Sequence, residues 1–128
     1  MDLIQGPSHD RSQTIVDFLR FSCDELGLEQ LPRINMTSTP LSNRISNSFA
    51  AYDPGNRSVT VCVKSRHIMD VLRSLAHELV HYRQDLNDEL TPDSGQTGSP
   101  QEDEANAVAG RLMRKFGKIH PELFNIRT

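Results

Sequence analysis

The chain has no tryptophan, two tyrosines and five phenylalanines among 128 residues. Its interior must therefore be built chiefly from aliphatic side chains. Cysteine is almost as scarce: Cys23 and Cys62 stand far apart and form no Cys-x-x-Cys pair. That excludes a disulfide framework and a cysteine-rich metal clamp, and it favours two inert core thiols in a reducing compartment. No excess of basic residues exists, since 14 Lys and Arg face 17 Asp and Glu for a net charge of −3. A nucleic-acid partner would need a basic footprint, so no nucleic acid is expected. Long apolar runs are missing too, which excludes a membrane-spanning helix. The first ten residues hold no apolar signal core, so a cytoplasmic or virion-associated protein is expected. At this length one domain over residues 1–128 is expected, with 1–9 a leader, 87–99 a flexible loop and 118–128 a tail.

One stretch carries chemistry: Leu75-Ala76-His77-Glu78-Leu79-Val80-His81-Tyr82 contains His-Glu-x-x-His. On an α-helix, residues four apart differ by about 40° in azimuth and about 6 Å along the axis. His77 and His81 therefore share a face and can share one metal ion. Glu78 leaves the helix roughly 100° further round, within reach of a water on that metal without ligating it. Ile68, Val71, Leu72, Leu75, Leu79 and Tyr82 recur at spacings of three and four, which predicts a helix with an apolar stripe nearly opposite the histidines. Ser65 or Lys64 is the expected start of this helix, and Asp85 its approximate end. Asp70, Ser74, Gln84 and Asp85 fall on the histidine side.

The remaining elements read as an α+β fold. Residues 10–26 carry Ile15, Val16, Leu19, Cys23 and Leu26 on one helical face, with Phe18 beside them and Gly27 as a stop. Strands are expected over 31–37, 44–52 and 58–64, forming a small antiparallel sheet of about three strands. Asp53-Pro54-Gly55-Asn56 is a strong turn signal, making the last two strands a hairpin that feeds the histidine helix. Polar residues 87–99, with Pro92, Gly95 and Gly98, read as a connector. Ser99-Pro100-Gln101-Glu102 then opens a final helix as a capping box with Pro at its first position. Its buried stripe is Ala105, Val108, Ala109, Leu112, Met113 and Phe116, and Gly117 is its expected end.

A catalytic zinc takes three protein ligands and keeps one position open. With no cysteine downstream, the third ligand must come from carboxylates or other histidines. Taking Ala105 of the last helix as zero, Glu102 lies at about 60°, Glu104 at about −100° and Asp103 at about 160°, while the buried stripe centres near 10°. Glu102 thus turns toward a packed neighbour, although it is also the capping-box partner of Ser99, and Glu104 stays open as an alternative. Asn106, one turn on, is a candidate to orient a ligand. His9, His67 and His120 read as ordinary histidines.

These residues resemble the short gluzincin metallopeptidases, in particular the ImmA/IrrE-type group. That group pairs Ala-His-Glu-x-x-His with a later helix patterned Glu-x-Glu-Ala-x-x-apolar-Ala-x-x-Leu-apolar. Here the pieces are Ala76-His77-Glu78-Leu79-Val80-His81 and Glu102-Asp103-Glu104-Ala105-Asn106-Ala107-Val108-Ala109-Gly110-Arg111-Leu112-Met113. The resemblance covers roughly 52–116, and it is similar to small metallopeptidase-like proteins of tailed phages. It implies a minimal zincin-like fold, Zn²⁺ as cofactor, and Glu102 as third ligand with His77 and His81. Arg114 stands where the group often has proline, and no helix-turn-helix or sensor segment is evident, so a regulatory role is not implied.

The function expected is a zinc-dependent peptidase in which Glu78 is the catalytic general base. A peptide or protein substrate would pair with the edge of the 58–64 strand by β-augmentation. Tyr52, Tyr82, His67 and His120 are candidates for a second oxyanion donor. The rival expectation is a non-catalytic, zinc-stabilised structural or virion-associated protein of phage origin, with a phage or host protein partner. Glu78 separates the two, since a structural zinc has no use for a general base.

Overall fold

The computed structural model describes residues 11–39 and 49–125. The leader, His9 and the first part of the second expected strand lie outside the described residues. Helix α1 (Arg11–Leu26) is followed by strands β1 (Arg33–Thr37), β2 (Ala50–Asp53) and β3 (Ser58–Cys62). Helices α2 (Ile68–Leu86) and α3 (Pro100–Ile119) come next, and a short 3-10 turn (Pro121–Asn125) closes the described chain. Among the described residues the fold is α+β, with three α-helices and one three-stranded sheet.

Helix α1 ends where its sequence says it should. Gly27 takes φ +70°, the Leu28 N–H bonds Cys23 O at 2.9 Å and the Gly27 N–H bonds Asp24 O at 3.3 Å. That pair of bonds is a Schellman cap, which a left-handed glycine makes available. The buried face is Ile15, Phe18, Leu19, Ser22 and Leu26, while Val16 is exposed and Cys23 only half-buried. The inward face is thus centred on Phe18 and Ser22, rotated from the expected Val16–Cys23 side. Phe18 sets the rotation by meeting Phe116 of α3 edge-on at 5.0 Å between ring centres.

The sheet differs from the antiparallel one expected. Its order is β1-β3-β2, and it is mixed. β2 and β3 form the hairpin, with Ala50 opposite Val61 and Asp53 opposite Ser58. Asp53 closes the turn, its two carboxylate oxygens accepting from the Gly55 N–H at 2.9 Å and Asn56 Nδ2 at 2.8 Å. β1, however, runs parallel to β3, from Arg33 opposite Ser58 to Thr37 opposite Cys62. The long connection between β1 and β2 permits this, because only a parallel pairing requires a crossover longer than a tight turn. β3 is consequently central, with both edges occupied. A peptide cannot add to β3 as expected, since β1 and β2 are the outer strands of the sheet and β3 lies between them.

Helix α2 is the axis of the molecule. Val71, Leu72, Leu75, Ala76, Leu79 and Val80 have no exposed surface, and Ile68 and Tyr82 have almost none. Its N-cap is His67 rather than Ser65 or Lys64: His67 Nδ1 accepts the Met69 N–H at 3.0 Å. The chain needs three more residues than expected to turn from β3, and Ser65 takes a positive φ of 61° within that turn. Helix α3 opens on Ser99, whose Oγ accepts the Glu102 N–H at 3.0 Å. It buries Ala105, Val108, Ala109, Leu112, Met113 and Phe116 as its spacing predicts. Gly117 does not end it; the helix continues to Ile119, and Gly117 is buried within it. Pro121 is the effective stop, because the residue before a proline, here His120, is pushed out of helical geometry.

Candidate metal centre

Helix α2 packs against α3 as well as against α1 and the sheet, and its histidines face the first turns of α3. Two imidazoles and one carboxylate meet there. His77 Nε2 lies 3.0 Å from Glu102 Oε2, and His81 Nε2 lies 3.0 Å from Glu102 Oε1. One ligand atom from each of the three residues lies within 4.8 Å of the other two, so the cluster can hold a metal ion. Ligands about 2.0–2.2 Å from a tetrahedral ion stand roughly 3.3 Å apart, which the two 3.0 Å contacts to Glu102 approach. Glu104 is placed elsewhere. Its Oε1 accepts from Gln84 Nε2 at 2.7 Å, and Oε2 lies 3.6 Å from Arg83.

The donor set suits a positive charge between its members. Gln84 is 1% exposed, and its Nε2 donates both to Glu104 Oε1 and to Gln101 O at 3.0 Å. The amide oxygen is therefore the atom that faces His81 Nδ1 at 2.8 Å, and it must accept. His81 Nδ1 then carries the proton, and in a neutral ring Nε2 presents its lone pair to Glu102 Oε1. Two acceptors 3.0 Å apart repel unless a proton or a cation lies between them. A metal ion satisfies both. His77 is equally suited to ligation, since burial is the main cause that lowers its pKa and so favours the neutral imidazole. Asn106 hydrogen-bonds the His77 ring from one turn further along α3.

Glu78 lies beside this cluster without joining it. Burial pushes its pKa up to about 7, against a lowering by His81 and by a hydrogen bond from the Tyr52 backbone. Its carboxyl thus holds a proton loosely near neutral pH. That property suits a group that must accept and return protons.

A cleft of about 370 Å³ opens above the four side chains. Ala51 and Tyr52 of β2 form one wall, and Leu90, Thr91, Ser94 and Gly95 form the other. The second wall is tied to α3: Ser99 Oγ donates to Ser94 O at 2.8 Å, and Gln101 Nε2 donates to Glu89 O at 2.9 Å. Of the four expected oxyanion donors, only Tyr52 lines this cleft, and its hydroxyl donates to Asp85 at 2.5 Å. Tyr82 donates to Gln30 O at 3.3 Å, His67 is the cap of α2, and His120 stacks on Phe116 at 4.6 Å. Gln84 had no signal in the sequence beyond sharing the histidine side of α2, because its partners lie on another helix.

No protein-family profile matches the chain, and neither a curated protein nor a solved structure does. Among the described residues no helix is long and apolar enough to cross a membrane.

Proposed function

We propose that this chain is a minimal zincin-like peptidase whose His77, His81 and Glu102 hold Zn²⁺. The observation that carries the reading is the placement of Glu78, a buried carboxyl with a pKa near 7, directly beside a three-donor cluster at the floor of an open cleft. The motif resemblance to ImmA/IrrE-type gluzincins supports the same assignment. Nitrogen and carboxylate donors suit zinc, and three protein ligands leave a fourth position free for a reacting molecule. Bound there, zinc supplies Lewis acidity that acidifies water and polarises a peptide carbonyl.

This chain's residues do the rest. Glu78 takes the proton of the attacking water and delivers it to the departing amine, which its near-neutral pKa permits in both directions. The Tyr52 backbone N–H, hydrogen-bonded to the Glu78 carboxylate, holds that carboxylate in the cleft. An extended peptide or protein substrate lies in the cleft against Ala51 and Tyr52 of β2, which line it together with Glu78. Gln84 and Asn106 orient the two imidazoles.

Zinc content and hydrolysis measured together test the reading. Wild type binds one zinc and cleaves peptides. Glu78→Gln keeps the zinc and loses turnover by about 10²-fold or more, the usual loss for a general base. Glu102→Ala loses zinc. Full activity in Glu78→Gln would sink the peptidase and leave the zinc-stabilised structural protein, with its phage or host partner, as the better account.

A further inference from the structure

The metal cluster borders a second hollow. Its volume is about 420 Å³, and it shares His77 and Glu78 with the first cleft while extending the other way, between Phe49 and Asn106. A substrate lying across the cluster reaches both. The walls of this second arm are rich in donors. Arg73 lines it, is exposed, and brings five N–H donors and no acceptor. Ser74 lines it too, and its Oγ already accepts from Arg66 Nη2 at 2.8 Å, which leaves the hydroxyl proton free to donate. Asn106 hydrogen-bonds the His77 ring and carries an amide NH₂, a further group able to donate. Glu78, at the inner end, is the one acidic side chain among the lining residues.

A second guanidinium reinforces the first. Arg66 lies over the Phe49 ring at 4.6 Å from its centre, and it is pinned by Cys62 O, Asp70 O and Ser74 Oγ. All these acceptors are uncharged. No carboxylate among the described residues pairs with Arg66 or Arg73, whereas Arg57 and Arg83 each face one. An arm lined by the Arg73 guanidinium, with Arg66 behind Phe49 and Ser74, is matched by an anion with acceptor oxygens on a planar group.

We propose that the Phe49–Arg73–Asn106 arm is a carboxylate-binding subsite. It takes an acidic side chain, or the free C-terminal carboxylate, of the peptide whose scissile bond lies over the metal cluster. This rests on the peptidase reading and narrows its substrate class. Arg73 meets the carboxylate directly, and Ser74 and Asn106 donate to it. Arg66 acts through Ser74 as a positioning residue.

Two hydroxamic acids of equal length test it on the full chain loaded with zinc, one ending in a carboxylate and the other in a primary carboxamide. Both anchor on the metal, and their affinities are read by calorimetry. The carboxylate should bind wild type about 10-fold more tightly than the carboxamide, the scale of a charge-assisted hydrogen bond. Arg73→Gln should bring the ratio near one, and Arg73→Lys should recover part of it. Arg73 is exposed on α2, so the fold should tolerate both changes. Equal affinities on wild type, or a ratio unmoved by Arg73→Gln, overturn the subsite while the metal reading stands. Failure of both compounds to bind overturns the metal reading as well. Peptide pairs then separate the two sources: cleavage that falls on amidating the C-terminus assigns a terminal carboxylate, and cleavage that falls on Glu→Gln beside the bond assigns a side chain. Insensitivity to both changes also overturns the subsite.

Discussion

Gln84 shows how much of the centre depends on one neutral side chain. Its NH₂ is held by Glu104 and Gln101 O, so its oxygen alone can meet His81, and the histidine tautomer is set by that bond. Gln84→Leu fills similar space but removes the acceptor, and should weaken zinc binding about 10–100-fold, the usual effect of losing a ligand's orienting partner. Competition with a fluorescent zinc chelator measures it; an unchanged Kd would make Gln84 a packing residue only. Glu78 allows a second test. In the metal-free protein its folded pKa of about 7 exceeds the ordinary value of 4.5. The protonated form is thus favoured by folding, and its contribution is complete below about 4.5 and lost as pH rises to about 7. Glu78→Gln should therefore be more stable than wild type at pH 8 by on the order of 1–3 kcal/mol, and the difference should vanish near pH 4. Urea midpoints of both proteins in chelator across that range decide it. His77 titrates in both proteins and cancels in the difference. Helical azimuth favoured Glu102 over Glu104 for the side facing a packed neighbour, with Glu104 left open, and it is Glu102 that lies against both histidines. The role of Gln84 was not, since a glutamine on a polar face looks the same whether it meets water or another helix.

At the scale of the element, the cap of α3 does two jobs. Ser99 Oγ accepts from the Glu102 N–H and donates to Ser94 O, so one hydroxyl starts the helix and holds the cleft wall. Glu102 is both the capped residue and a member of the cluster, which joins helix initiation to the candidate site. Ser99→Ala should cost about 1 kcal/mol in urea unfolding. Ser99→Asp should restore the cap but not the bond to Ser94, which it cannot donate. Equal stability of Ser99→Ala and wild type would place the start of α3 under the control of packing alone. The three helices were readable because each carries an apolar period of three to four and a distinct terminal signal. The direction of β1 was not readable. Ile34 and Met36 alternate the same way whether the strand runs with β3 or against it, and only the path between β1 and β2 decides. Gly117 misled for a related reason: a glycine stops a helix only where the next residues leave it, and Lys118 and Ile119 continue α3 until Pro121 intervenes.

Across the whole molecule, one apolar core joins the helices, and α3 adds a distinct cluster toward each of its ends. Near its C-terminal end Phe116 packs on Phe18 and Phe21 of α1 at 5.0 and 5.3 Å between ring centres. Near its N-terminal end Glu102 meets the histidines of α2. The aromatic end is apolar and indifferent to metal. The other end sets the His81 ring against the Glu102 carboxylate at 3.0 Å, a contact that a bound metal ion would replace. Zinc at about 1,000 times its Kd would stabilise the folded chain by on the order of 4 kcal/mol, and that stabilisation should act locally as well as globally. Chelation should therefore speed amide exchange in the first turns of α3, in β2 and in the wall that carries Ser94, while protection around Phe18 and Phe116 persists. Glu102→Ala should show the chelated pattern with or without zinc. The reason is geometric: the two clusters share α3 but no side chain, so loss of one loosens its own end first. Hydrogen-exchange mass spectrometry of wild type, with zinc and with EDTA, measures this. Uniform deprotection of α1 and α3 on chelation would mean that the metal centre and the aromatic core unfold as one unit.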